Sequence, residues 1–235
     1  MKKNDHAITY FENQARLWTE VYDASDQRSY GFLKRKASVM ESIKNFVESD
    51  NKFKIVNSID IGCGAGPYLE DLCQITDKTV IGLDSSKAMI NECKKNVVNK
   101  TGQIKYEICS SKDIKHPDNS FDLAIAVGHI EYFEDRIQLL KEFYRILKPG
   151  AIVIITFPNK LGISRLSGIP RTLHMLVPTK IKINILKFFN IFKRNKKNID
   201  DIYLGTTFTR KEIRRLSKLS GFKVKDIRCV GYSPI

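Results

Sequence analysis

An acid followed by three closely spaced glycines, Asp60-Ile61-Gly62-Cys63-Gly64-Ala65-Gly66, closes an apolar, strand-like run that begins at Phe53. A turn of this kind narrows the folds open to the chain. Glycines let the backbone pass close to a ligand with no Cβ in the way. In an open α/β sheet, ligands bind beyond the carboxyl ends of the strands. Pro67 then suits the first position of a helix after the turn. In isolation the same turn could be no more than a tight connection, so its meaning depends on what surrounds it.

Beyond the turn, strand-like and helix-like segments alternate regularly. Thr79–Leu83 is a β-branched run that ends at Asp84, and Ser85–Val98 reads as a helix that Ser85 or Ser86 can cap. Ile104–Ile108 is strand-like. Phe121–Val127 is almost wholly apolar, as a central parallel strand buried on both faces should be. Arg136–Leu147 has helical spacing with Ile137, Leu140, Phe143, Tyr144 and Leu147 inward, and Lys148-Pro149-Gly150 turns it into a fifth strand, Ala151–Phe157. This order predicts an α/β fold: a doubly wound, mostly parallel sheet with helices on both faces and right-handed crossovers. Upstream, Ile8, Phe11, Ala15 and Trp18 share one helical face and Phe32–Val47 forms a second amphipathic stretch, so residues 1–50 are expected as an N-terminal helical cap on a domain spanning 51–235. Downstream, Thr209–Leu219 reads as a helix ended by Gly221, and Phe222–Val230 as a strand.

Asp84 ends the second strand 18 residues after Gly66. A carboxylate there can accept from both hydroxyls of a ribose, which suits adenosine cofactors in general, NAD included. The dinucleotide fingerprint wants glycines at its first, third and sixth positions; counted from Gly62, the sixth is Pro67. Asp60 would repel a pyrophosphate and attract the sulfonium and ammonium of S-adenosyl-L-methionine (SAM). Electrostatics favours SAM over NAD.

Four ordered motifs resemble those of the class I SAM-dependent methyltransferases, in particular the small-molecule enzymes of ubiquinone and menaquinone biosynthesis. Val56–Gly66 resembles their first motif and Val80–Met89 their second. Pro117–Leu123 resembles the approach to strand four, and Arg145–Ala151 the turn into strand five; the late Gly221-Phe222-Lys223-Val224 is also similar. The resemblance implies a Rossmann-like fold and SAM as cofactor. It implies that Asp60 with the backbone of Gly62 and Gly64 holds the methionine part, that Gly66 belongs to the same cofactor-binding turn, and that Asp84 holds the ribose. Ser85 and Met89 would lie near the adenosine, and Val127 at the end of strand four near the methyl group. Where the family often carries an acid for the adenine amino group, this chain has Ser110 and Ser111, with Asp113 close by. Asp122 is expected to be structural, positioning a neighbouring loop.

At the reactive end, His129 in Val127-Gly128-His129-Ile130-Glu131-Tyr132 is the candidate general base or acceptor-orienting group. Quinone-biosynthesis relatives commonly show Glu-His where this chain has Glu131-Tyr132. No Asn-Pro-Pro-Tyr comes after strand four and no Pro-Cys dipeptide occurs, which argues against base, glutamine and cytosine-C5 methylation. Asn159 could line the acceptor pocket. The N-terminal segment resembles the opening helices that cap the cleft of small-molecule methyltransferases, with Tyr10, Trp18 and Tyr22 as candidate lining residues, and Tyr132 is a further substrate-side candidate.

The net charge is +14, and ten of the cations lie between Lys160 and Ile199, a stretch without a single acid. Residues 160–205 are expected as a basic lid inserted after strand five. Ile181, Ile185, Phe188, Phe189 and Phe192 recur at helical spacing among lysines. Three uses are open for 180–197: a lid over the acceptor, contact with an anionic membrane surface that delivers a lipid-like acceptor, or, less favoured, nucleic-acid binding as in an RNA methyltransferase. Five scattered cysteines with no CxxC pair fit a reducing cytoplasm, peripheral at the inner membrane surface under the second use, and no metal site is expected. The resemblance implies an enzyme that transfers the methyl group of SAM to a small or lipid-like acceptor, with a non-catalytic SAM-binding module as the alternative.

Overall fold

The computed structural model describes residues 8–16, 18, 27–99, 102–159 and 206–230. Residues 8–16 form helix α1. Then come α2 (Gln27–Ser49), β1 (Asn57–Ile61), α3 (Leu69–Ile75), β2 (Thr79–Asp84), α4 (Lys87–Asn96), β3 (Ile104–Ile108) and β4 (Phe121–Ala126). A 3-10 turn, Ile130–Tyr132, precedes α5 (Arg136–Ile146), β5 (Leu147–Ile155) and α6 (Arg210–Leu219). All four strand pairings are parallel, in the order β3-β2-β1-β4-β5. The expected doubly wound α/β sheet is therefore present.

The chain winds outward from β1 through β2 to β3, then returns to place β4 on the other side of β1. Connections leaving β1 and β4 diverge there, which opens a crevice at their carboxyl ends. β4 is buried along its whole length. Its alternate residues serve opposite faces. Ala124 and Ala126 join a core built on Ile59, Ile61, Leu140 and Phe143. Leu123 and Ile125 join one built on Val39, Ile43, Leu69, Leu72 and Ile90.

Local chemistry fixes the element ends. Ser86 Oγ caps α4 by accepting from Met89 N, and Asp135 caps α5 through Gln138 N. Thr209 and Glu212 form a reciprocal capping box on α6. Asp122 accepts from Val56 N at 3.0 Å and Asn57 N at 2.9 Å with one oxygen, and from Lys148 Nζ at 2.8 Å with the other. It ties the entrance of β1 to the start of β5.

Several sequence expectations shift. β1 starts at Asn57, because Phe53–Val56 belongs to a turn and an approach segment. α3 starts at Leu69 rather than Pro67: Gly66 packs so tightly on Cys93 and Val97 that a Cβ there would lie 2.5 Å from each, and Pro67 and Tyr68 complete the turn. α5 turns Leu139 and Ile146 inward and leaves Tyr144 exposed, where its ring meets Phe222 at 5.3 Å. β5 begins at Leu147, which pairs with Phe121; the Lys148-Pro149-Gly150 turn then bulges out before Ile152 pairs with Leu123. Phe222–Val230 joins no ladder. Its alternation breaks at the exposed Lys225 and Asp226, and Phe222 is spent on Tyr144. The expected basic lid at 160–205 and Tyr22 lie outside the described residues.

Candidate functional site

The turn after β1 is built around left-handed glycines. Gly62, Gly64 and Gly66 have φ of +78°, +53° and +85°, conformations that L side chains rarely adopt. Gly62 N and Cys63 N both donate to Leu83 O, at 2.7 and 3.0 Å, which binds the turn to the end of β2. The space around each glycine differs. A Cβ on Gly62 would lie 2.3 Å from His129 Nδ1, whereas one on Gly64 would meet only Met89 Sδ, at 4.0 Å. Gly64 thus faces open space with buried Met89 beneath it.

Two carboxylates flank this turn. Asp60, at the end of β1, is almost fully buried, and its Oδ2 has no hydrogen-bond partner among the described residues. Burial, and then the charge of Asp84, push its pKa up from 3.8 to about 8. Asp84 accepts from Gly64 N at 3.0 Å and Ser86 N at 2.8 Å. Burial raises its pKa, those backbone bonds oppose the rise, and the charge of Glu12 adds to it. Two buried acids whose pKa values burial raises, Asp60 far enough to hold its proton at neutral pH, form a site beside an open glycine turn that gains from a bound cation.

Ser85 is exposed next to Asp84. Beyond β3, Ser110 is exposed and its Oγ accepts from Lys112 N, while Asp113 is paired with Lys115. Ser111 is buried, with its Oγ 2.9 Å from His129 Nε2. His129 is therefore held from behind, its ring against Phe133 (centroids 4.8 Å apart) and beside Gly62. Burial lowers its pKa to about 4, so the imidazole is neutral at pH 7. Val127 is half-buried against the core, and Gly128 N donates to Thr156 Oγ1 at 2.8 Å. Asn159 is exposed, and its backbone bridges to Phe208.

α1 carries an aromatic chain toward the end of β4. Tyr10 meets Phe11 at 5.2 Å, Phe11 meets Tyr132 at 5.2 Å and Trp18 at 5.8 Å, and Trp18 meets Phe32 at 5.8 Å. Sequence reasoning does not single out Glu12, whose carboxylate reaches the start of α4, or Arg35 and Glu131. The last two both come within 4 Å of where a Cβ on Gly128 would stand. The contacts of Glu12 and Arg35 are long-range and carry no local sequence signal. Among the described residues, no cluster could hold a metal ion, and no helix is long and apolar enough to cross a membrane.

Residues 59–155 match the family profile described as a methyltransferase domain. Phosphoethanolamine N-methyltransferase 1 of Arabidopsis thaliana is 30 % identical over 117 residues, 50 % of this chain and 24 % of that protein. Ubiquinone/menaquinone biosynthesis C-methyltransferase of Geotalea daltonii is 34 % identical over 144 residues, 58 % of this chain and 60 % of that protein. The chain thus spans about a quarter of the first relative's length and 60 % of the second's. Magnesium protoporphyrin IX methyltransferase of Synechocystis PCC 6803, solved with bound SAH, shares the fold with a TM-score of 0.66 at 14 % identity, over 96 % of this chain and 91 % of that one. The glycine turn and the paired carboxylates lie inside the matched segment, and over residues 59–155 the chain is similar to the class I SAM-dependent methyltransferases.

Proposed function

We propose that this chain transfers the methyl group of SAM to a small or lipid-like acceptor. The observation that carries the reading is the buried, unpartnered Asp60 Oδ2 beside a glycine turn that leaves room over Gly64. The residues fit the cofactor. Asp60 would answer the cationic methionine end. Asp84, already accepting two backbone bonds, keeps acceptor capacity for a ribose diol, since a carboxylate offers about four lone-pair sites. Met89 gives an apolar floor and Ser85 lies at the exposed rim.

Bound SAM supplies a methyl group already activated on a sulfonium. The protein's part is alignment and exclusion of water. The aromatic chain of Phe11, Trp18 and Tyr132 offers an apolar wall near the carboxyl end of β4, which suits an apolar acceptor. His129 acts here as a buttress. Neutral, tied to Ser111 and packed on Gly62, it fixes the turn that carries the cofactor-facing amides. A basic amphipathic 180–197 segment favours delivery of the acceptor from an anionic membrane surface, and flotation with anionic against neutral liposomes tests that part.

The main test is transfer of label from methyl-labelled SAM to a small-molecule and lipid extract, with the wild type and Asp84→Ala compared. A labelled product made only by the wild type is expected. Tight SAM binding with no labelled product would sink catalysis in favour of a binding module. Label appearing in RNA would move the acceptor class to nucleic acid.

A further inference from the structure

Glu12 lies on α1, 75 residues from its partners, yet its carboxylate accepts Lys87 N at 2.7 Å and Ala88 N at 3.2 Å. These are the first two amides of the ten-residue α4, donors that the helix itself leaves unmatched and toward which its dipole draws negative charge. Ser86 Oγ satisfies the next one, at Met89. The start of α4 is thus closed jointly by a local cap and by a carboxylate from the far end of the chain.

The neighbouring side chain goes the other way. Phe11 meets Tyr132, in the 3-10 turn after β4, at 5.2 Å with planes 79° apart. In the sheet order, β2 and β4 flank β1. Successive residues of one short helix therefore touch the elements that emerge on both sides of the glycine turn. α1 spans the mouth of the crevice, fastened by charge on the β2 side and by aromatic packing on the β4 side.

We propose that Glu12 is a positioning residue that latches α1 across the cofactor cleft, so that cofactor exchange requires its carboxylate to leave the α4 amides. The inference rests on the cofactor lying over the glycine turn between Asp60 and Asp84. Helix capping alone would give Glu12 a part in stability and none in exchange. A latch makes it a control on how fast the cofactor leaves.

The test measures release of S-adenosylhomocysteine (SAH) by stopped flow from wild type, Glu12→Gln and Glu12→Ala, with amide hydrogen exchange at Lys87 and Ala88 with and without SAH. Loss of a charge-assisted bond predicts release about tenfold faster in both variants. Bound SAH should slow exchange at those two amides in the wild type and leave it unchanged in the variants. Release at the wild-type rate from both variants overturns the proposal, even if their melting temperatures fall. If the wild type binds no SAH, the cofactor placement fails and the latch with it, an outcome distinct from SAH bound tightly and released at one common rate.

Discussion

Raising the pH from about 5.5 to about 7.5 should tighten cofactor binding by nearly the factor that one released proton allows. Asp60 titrates at about 8 in the chain without cofactor, because it is buried and faces Asp84. At neutral pH it is mostly protonated. A cationic ligand that needs its ionised form must first expel that proton. With the carboxyl at about 8, close to 0.9 of a proton leaves per cofactor bound at about pH 7. The same arithmetic gives about 70-fold weaker binding at about pH 5.5 than at about 7.5. Titration calorimetry in two buffers of different ionisation enthalpy reads the proton directly, and the affinities give the slope. Asp60→Asn should flatten most of the slope, and what remains belongs to Asp84, whose pKa burial also raises. His129, lowered to about 4, stays neutral across this range. An affinity independent of pH in the wild type, or an equal slope in Asp60→Asn, would refute the assignment.

The same carboxyl predicts that the melting temperature without cofactor falls as pH rises from about 6.5 to about 8. The folded chain then keeps a proton that the unfolded carboxyl, at 3.8, has already lost, and saturating SAM should remove the fall. His129 acts in the opposite sense and lower down: falling pH destabilises between its ordinary value of 6.5 and about 4, which leaves the upper window to Asp60. Gly62→Ala and Gly64→Ala should part company. Both strain a left-handed residue, but the first also drives a Cβ to 2.3 Å from the His129 ring and should unfold the turn. Gly64→Ala should stay folded with a stability loss of about 1–2 kcal/mol and lose cofactor affinity, as thermal melts with and without SAH would show. Asp122→Ala should cost about 3 kcal/mol in urea unfolding, because two backbone amides and Lys148 lose a buried acceptor, with cofactor affinity unchanged. Equal losses for Lys148→Met would show that the ion pair, not the amide clamp, matters.

The legible part of this protein is the part that sequence neighbours build together. Asp60, Gly62 and Gly64 sit on one strand end and one turn, and Asp84 ends the next strand, so their spacing alone announces the cleft. β2 and β4 are readable within a residue, since buried parallel strands demand apolar runs whatever surrounds them, and the edge strand β3 is readable from the alternation of Ile104, Tyr106 and Ile108 with polar residues. The helix ends move where tertiary contact overrules local preference: Pro67 by itself would open α3, but Gly66 is pressed against Cys93 and Val97, and the chain needs two more residues to turn. Phe222–Val230 resembles a strand because its apolar residues nearly alternate, yet a strand is defined by its partner, and Phe222 packs on Tyr144 instead.

What the sequence hides is how the walls of the site are held. Ser111 reads in the sequence as a contact for adenine, and the structure adds a partner that the sequence does not show, His129, 18 residues away. His129 reads as a base and is packed beneath the glycine turn, where a neutral ring is the only form that burial favours. Glu12 reads as one more acid on an amphipathic helix, and its two amide partners lie 75 and 76 residues on. Periodicity reports which face of an element is buried, but not what meets it there. The groups proposed to contact the cofactor are close in sequence because one strand-turn-strand unit supplies them. The group proposed to latch the cleft, Glu12, comes from a helix far away in sequence. The covering helix should therefore change cofactor exchange more than cofactor recognition: Asp60 and Asp84 variants should lose affinity, and Glu12 variants should lose residence time first.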